Sequence, residues 1–294
     1  MTQFLQFTIS GLLIGGLYSL VGVTIVLVFK STKVVSMAHG QVLAFGALFF
    51  WYCLMVFELS LWSCLFITVI LTAVIGFLIE RFTMRPLIGQ PLFSAFLMTF
   101  AVFMFMDGIF KLIIGGKIRV YPPFLPQGVL DIGGITLNRA LIVSFLTSLL
   151  LFLILALLFK YTRVGLEMRA TAEDHRLSQS AGVRVRRIFS IAWIISAGVG
   201  AFAGIACANV VDIYDYLPFM GIKGLIVALI GGLDSIAGAL LAGMILGLFE
   251  NLSAGYLDPL LGGGVRDVAA YVMLLIILLV KPYGFFGLVR IERI

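Results

Sequence analysis

The chain of 294 residues is 62% apolar and only 12% charged, with a mean hydropathy of +1.18. Soluble domains carry about 25% charged residues, so this composition excludes an ordinary water-soluble protein and indicates helices coated by lipid. The net charge of +6 would suit nucleic-acid binding. However, the basic residues crowd into a few gaps between apolar runs, as the positive-inside rule expects of membrane proteins, and we expect no nucleic-acid partner.

Apolar runs that approach the roughly 20 residues needed to cross a bilayer follow one another along the whole chain. They lie at residues 4–29, 34–57, 61–79, 92–114, 139–159, 188–210, 220–252 and 268–280. The expected fold is an all-α, multi-pass protein of the cell membrane with about eight transmembrane helices, forming a single membrane domain over residues 1–294. No basic residue precedes the first run, so we expect a retained span and not a cleaved signal peptide.

The seventh run is too long for one span, and Gly231-Gly232-Leu233-Asp234-Ser235 interrupts it. We predict a broken or re-entrant segment near 220–235, followed by a helix from about residue 235 to 252. Irregular backbone at membrane depth must be surrounded by protein or line a water-filled cavity. The break is therefore a candidate lining for a solute pathway.

Orientation follows from the gap at residues 160–187, which carries seven basic residues against three acidic ones. This excess predicts that the gap is cytoplasmic and that the N-terminus and the 115–138 loop lie outside. Lys281, Arg290 and Arg293 favour an inside C-terminus, which needs an odd number of crossings after residue 210. The sequence leaves open whether residues 220–232 cross the membrane.

Within this gap, residues 165–181 have the pattern of a short amphipathic helix that Gly182 would end. Leu166, Ala170, Leu177 and Ala181 fall near one stripe of it. Such a helix would lie flat on lipid or dock in a groove on a soluble partner, and the pattern favours neither.

Few residues in the apolar runs can carry chemistry. His39 is a lone histidine, which is more often a satisfied structural residue than a ligand. Asp107 and Lys111, four residues apart, favour an internal ion pair over solute contact, and Glu250 has no evident role. The sequence contains no phosphate-binding loop and no plausible catalytic or metal-binding set, so we expect neither ATP hydrolysis nor other catalysis by this chain.

Several motifs, taken in order, carry a resemblance. They are GLLIGGLYSL at 11–20, Ala38-His39-Gly40, Glu80-Arg81 with Arg85-Pro86-Leu87, Gly231-Gly232, and PYGFFG at 282–287. Together they resemble the permeases of branched-chain amino acid ABC importers, a group that includes urea and short-amide permeases. Ser36, Ile88 and Ser178 depart from residues common in the family, which weakens any transfer of substrate identity.

The resemblance implies a permease that pairs with a second, related permease in a homo- or heterodimer. Two cytoplasmic ATPase subunits would bind the ATP beneath it, and an extracytoplasmic binding protein would deliver the solute, so this chain needs no cofactor. The residues that match the family's ATPase-coupling segment are Thr162, Gly165, Arg169, Ala170, Asp174 and Gly182.

The expected solute pathway combines the two regions where helices break with the intramembrane acid. Its candidate residues are His39, Gly40, Asp107, Gly231, Gly232 and Ser235. Helix breaks leave backbone N–H and C=O groups free to hydrogen-bond a solute that sheds its water.

The rival functions are an ion-coupled secondary transporter, an intramembrane enzyme and a passive channel for a small neutral solute such as urea. The sequence does not identify the solute.

Overall fold

A computed structural model describes residues 2–126 and 128–287 of the chain. Its helices are α1 Thr2–Thr32, α2 His39–Met55, α3 Leu61–Ile79, α4 Leu92–Ile114, α5 Arg139–Tyr161, α6 Arg163–Glu173, α7 His175–Ser180, α8 Val185–Val211, α9 Met220–Gly231, α10 Ile236–Leu261 and α11 Val265–Val280. A small antiparallel hairpin, β1 Val129–Ile132 and β2 Ile135–Asn138, lies in the 115–138 loop. The predicted all-α membrane fold is confirmed, and the hairpin is an addition to it.

Within the described residues, six helices are long and apolar enough to cross a bilayer: α1, α3 with its extension to Leu87, α4, α5, α8 and α10. The helices α2 and Leu217–Gly231 are apolar but shorter. The number of long spans therefore differs from the expected eight. The reason is that the second and eighth runs form the shorter helices α2, of 17 residues, and α11, of 16 residues, while the seventh run still contributes the long α10.

Helix α1 lies at the centre of the bundle and crosses α10 in antiparallel fashion through small residues. A Cβ added at Gly15 would lie 2.6 Å from the Gly243 oxygen, and one at Gly11 would lie 2.8 Å from the Gly247 oxygen. Ser19 Oγ donates a 2.8 Å hydrogen bond to the Leu240 oxygen across the same crossing. Small residues allow this close backbone approach, which drives helix association where there is no hydrophobic force between helices in lipid.

Several helix ends meet at one end of the bundle, here called the inner end. Lys33 at the end of α1 pairs with Asp234 at 2.7 Å, and Lys30 lies 4.6 Å from the ring centroid of Phe159 near the end of α5. After α11, the backbone N–H of Phe285 donates to the Ile230 oxygen at 2.8 Å. Residues 281–287 therefore lie at the inner end, on the same side of the bundle as Lys30 and Lys33. Arg290 and Arg293 lie outside the described residues.

Candidate functional site

The start of α2 holds His39 in a closed hydrogen-bonded position. Its Nδ1 lies 2.9 Å from Ser36 Oγ and its Nε2 lies 2.7 Å from Ser196 Oγ. The Ser196 hydroxyl donates its one proton to the Thr24 oxygen at 2.7 Å, so it accepts from His39 Nε2–H, and Nδ1 then accepts from Ser36. With both nitrogens engaged and 2% of its surface exposed, His39 joins α1, α2 and α8 and offers no free atom to a solute.

Gly40 marks a backbone crossing between α2 and the start of α9. A Cβ added here would collide with the Pro218 oxygen, and one added at Gly221 would collide with the backbone of Gly40. Only glycine permits this approach at either position. The crossing lies next to Gln41, whose side-chain amide donates a 3.0 Å hydrogen bond to Asp107 Oδ1.

Asp107 thus lies beside the His39–Gly40 region. Its second oxygen, Oδ2, forms an ion pair with Lys111 Nζ at 2.6 Å, and Lys111 lies four residues further along α4. The geometry matches the internal ion pair that the spacing favoured. Asp107 ties α4 to α2, and 13% of its side chain remains exposed.

The break at Gly231–Ser235 lies at the opposite end of α9 from Gly40. Gly221 and Gly231 are ten positions apart, or about 15 Å along a helix, so the structure does not bring the two predicted halves of the pathway together. Gly231 packs on Gly238, and Gly232 has φ +94° against residue 287. Ser235 caps α10 by accepting the Gly238 N–H at 2.9 Å. Backbone and cap contacts thus hold these three residues, while a cavity of about 270 Å³ lined by Lys33, Leu233 and Asp234 opens beside the break.

A buried charged cluster that sequence reasoning missed lies between α1, α9, α10 and α11. Lys223 Nζ lies 3.1 Å from Glu250 Oε2 and 3.1 Å from Asp267 Oδ1. Tyr18 Oη donates to Glu250 Oε2 at 2.9 Å, and Tyr216 Oη donates to Asp267 Oδ1 at 2.8 Å. The sequence signal for this cluster was Lys223, a lysine inside the apolar 220–232 run. Lys223 pairs with Glu250, to which the sequence assigned no role.

A cavity of about 190 Å³, here called the outer cavity, opens beside this cluster. Its polar wall is formed by Tyr18, Tyr216, Lys223, Arg266 and Asp267, and its apolar wall includes Ile14, Leu17 and Val210. Burial, together with the hydrogen bond to the Asp267 carboxylate, raises the pKa of the Tyr216 phenol well above its usual range. Tyr216 therefore remains a hydrogen-bond donor at any physiological pH.

Three of the predicted coupling residues, Thr162, Gly165 and Arg169, hold α6 against the end of α5. Thr162 caps α6 by accepting the Gly165 N–H at 3.1 Å, and a Cβ at Gly165 would collide with the Phe159 oxygen. The Arg169 guanidinium donates to that same oxygen and lies 5.5 Å from the Phe159 ring centroid. A force on α6 would therefore reach α5 directly.

The predicted single helix over 165–181 is instead two helices, α6 and α7. The chain turns at Asp174, whose extended backbone ends α6 and whose carboxylate accepts the Leu177 N–H at 3.0 Å. Gly182, at φ +87°, ends the segment. The predicted apolar stripe faces outward, because Leu166, Ala170, Leu177 and Ala181 are all exposed while Met168 is buried.

Within the described residues, no group of three or more His, Cys, Asp or Glu side chains could hold a metal ion. Two regions of the described chain stand out. One is the closely packed inner end with its exposed stripe, and the other is the charged outer cavity.

Comparison with known proteins covers nearly the whole chain. Residues 7–281 match the family described as the permease component of the branched-chain amino acid transport system. The chain is 28% identical to the high-affinity branched-chain amino acid transport system permease protein LivH of Salmonella typhimurium, and 27% identical to the corresponding protein BraD of Pseudomonas aeruginosa. Each alignment covers 99% of this chain and 98% of the relative.

A partial likeness reaches a different kind of permease. The chain is 33% identical to the guanosine ABC transporter permease protein NupP of Bacillus subtilis, over 54% of this chain and 44% of that protein. Since the family match spans residues 7–281 and the structure is a bundle of apolar helices, the chain belongs to the family of branched-chain amino acid transport permeases, which are multi-pass membrane proteins.

Proposed function

We propose that this chain is the membrane-spanning subunit of an ATP-driven importer that carries branched-chain amino acids, or a closely related small polar solute, into the cytoplasm. The observation that carries the proposal is the family match over residues 7–281, together with full-length relatives named for high-affinity branched-chain amino acid transport.

The exposed stripe on α6 and α7 supports coupling to separate ATPase subunits. Leu166 and Leu177 leave 58% and 69% of their surfaces uncovered in a segment whose basic excess predicts a cytoplasmic location. An amphipathic helix that presents apolar side chains to the cytoplasm is suited to a groove on a soluble partner. The ATP would be bound there, in two ATPase subunits and not in this chain.

The outer helices leave room for further partners. Only 28%, 28% and 22% of the most apolar windows of α3, α4 and α5 are buried. Lipid would cover part of this surface and a second, related permease another part, in a homo- or heterodimer. An extracytoplasmic binding protein would deliver solute to the outer end.

Uptake of labelled solutes tests the proposal. Cells with and without the gene are given leucine, urea, acetamide and guanosine, the last because of the likeness to NupP. We expect gene-dependent uptake of leucine that stops when cellular ATP is depleted but persists when a protonophore collapses the ion gradient. Gene-dependent uptake of urea or acetamide alone would move the function to the amide permeases. Uptake abolished by the protonophore at constant ATP would indicate an ion-coupled transporter.

A further inference from the structure

The charged cluster of the outer cavity has a fixed part and an exchangeable part. Lys223 and Glu250 form the fixed part, because only 6% and 1% of their side chains are exposed. Asp267 is the exchangeable part, since 51% of its side chain is exposed although it lies 3.1 Å from Lys223. Lys223 keeps Glu250 when Asp267 moves away, and the place of Asp267 is then open to another anion.

The cluster lies deep in the bundle. Glu250 follows the first residue of α10 by 14 positions, or about 21 Å from the inner end along a helix. This distance is more than half of the roughly 30 Å of a bilayer's hydrocarbon core, and it places the cluster in the half of α10 away from the inner end. Ionisable side chains at such depth are costly and commonly mark solute pathways.

The outer cavity has the size and polarity of a site for one small solute. Its volume of about 190 Å³ is below the roughly 300–1,000 Å³ of sites for drug-sized ligands. A cation and an anion, Lys223 and Asp267, lie at one wall, and aliphatic side chains such as Leu17 line another. This arrangement complements a molecule with both charges at one end and a hydrocarbon group at the other.

We propose that the outer cavity binds a neutral α-amino acid during transport, with its carboxylate on Lys223 and its ammonium on Asp267. The aliphatic side chain of the solute then lies against Ile14, Leu17 and Val210. The site rests on the proposed function for the class of solute, and it adds to it the residues within the permease that recognise that class.

Binding exchanges partners without changing the charge balance. The solute carboxylate replaces Asp267 at Lys223, and Asp267, still held by Tyr216, turns to the ammonium group. Lys223 and Arg266 balance Glu250 and Asp267 before binding, and a zwitterion adds no net charge. A lone carboxylate or a lone amine leaves the cavity with one excess charge, which is unfavourable in an environment of low polarity. The site thereby selects zwitterions over simple acids and amines.

Protection of an engineered cysteine measures occupancy of the outer cavity directly. Val210 lines the cavity and is 40% exposed, so Val210→Cys is placed in a transporter whose native cysteines are replaced. In membranes that hold the whole transporter, a membrane-impermeant methanethiosulfonate labels it from outside. We expect L-leucine to slow this labelling, whereas 4-methylpentanoate, isopentylamine and urea do not. Val129→Cys, on the exposed hairpin, is the matched control and should label at the same rate with or without leucine.

Changing Asp267 separates recognition from folding. Asp267→Asn should raise the half-protecting leucine concentration at least about tenfold, because a charge-assisted hydrogen bond to the ammonium is lost, while Asp267→Glu should retain protection. Asp215→Asn, which removes an exposed carboxylate from the adjacent loop, should change nothing. All variants should elute as single species in size-exclusion chromatography.

The outcomes distinguish this site from the proposed function. Leucine uptake without leucine protection of Val210→Cys would overturn the site and leave the importer intact. Protection without leucine uptake would support the site and contradict import of leucine. Equal protection by 4-methylpentanoate and leucine, or an unchanged response in Asp267→Asn, would overturn the selection of zwitterions.

Discussion

The two ends of the bundle differ in the contacts that hold their helices together. At the inner end, backbones approach closely through Gly231, Gly232 and Gly238, and the cavity of about 270 Å³ beside them is lined mainly by apolar side chains. At the outer end, charged side chains around Lys223 surround an open cavity. The comparison teaches that the helix break and the proposed solute site are separate features here. Close backbone packing holds together the end that would meet the ATPases. Charged side chains line the cavity at the end that would meet the solute.

The largest effect on stability should come from breaking the fixed ion pair of the outer end. Lys223→Met leaves Glu250 as an uncompensated buried charge, which costs about 3–5 kcal/mol. Lys223→Met combined with Glu250→Gln should recover most of that loss, because no buried charge is left unpaired. Thermal unfolding of the purified variants in lipid nanodiscs measures both. Equal destabilisation by the single and double variants would show that the two residues do not act as a pair.

The next largest effect should come from the packed inner end. A Cβ at Gly231 would meet the backbone of Gly238, so Gly231→Ala should destabilise the chain by about 1–3 kcal/mol through overpacking. Gly108→Ala on α4 is the matched control, since nothing lies within 4 Å of the added carbon. Unfolding temperatures of the two alanine variants provide the comparison. A tolerated Gly231→Ala would mean that the inner end is looser than its contacts indicate.

A smaller effect should follow from removing the cap of α10. Ser235→Ala loses the hydrogen bond to the Gly238 N–H, worth about 1 kcal/mol for a typical N-cap. Ser235→Asp also caps and should keep both stability and leucine uptake. If Ser235→Asp abolished uptake in a fully folded protein, the break would contact solute after all, and the contrast between the two ends would fail.

The smallest effect on stability should come from the exposed stripe. Ala170→Glu lies on the surface of α6, where substitutions usually change stability by less than about 0.5 kcal/mol. It should nevertheless lower leucine uptake at least about tenfold, because a charge in an apolar interface removes a central contact. Gln179→Glu, an exposed residue of α7 outside the stripe, is the control. Normal uptake by Ala170→Glu would exclude the stripe as the ATPase contact.

Hydropathy predicted the inner end and the membrane fold better than it predicted the outer cavity. The apolar runs and the break at Gly231–Ser235 are local patterns, and both are present in the structure. The apolar residues of the stripe are exposed as well, but they are divided between two helices and the turn after them. The division into α6 and α7 was missed because it depends on the backbone of Asp174, which the helical spacing of the stripe does not report.

The outer cluster was missed because its members are distant in the chain. Lys223 lies 205 positions from Tyr18 and 27 from Glu250, so no sequence spacing relates them. Conversely, His39 lies beside the α2–α9 crossing, yet its hydrogen bonds to Ser36 and Ser196 occupy both ring nitrogens. Tertiary contacts decided which polar residues face a cavity and which join helices.

The most direct test is the initial rate of ATP-dependent leucine uptake by the double variant Lys223→Met/Glu250→Gln. The whole transporter, purified with its ATPase and binding-protein subunits, is reconstituted into liposomes with the same amount of ATPase bound in each preparation. A solute site in the outer cavity predicts a rate at least about tenfold below that of the wild type, because the carboxylate has lost its cation. A folded double variant that imports leucine at the wild-type rate would contradict the account.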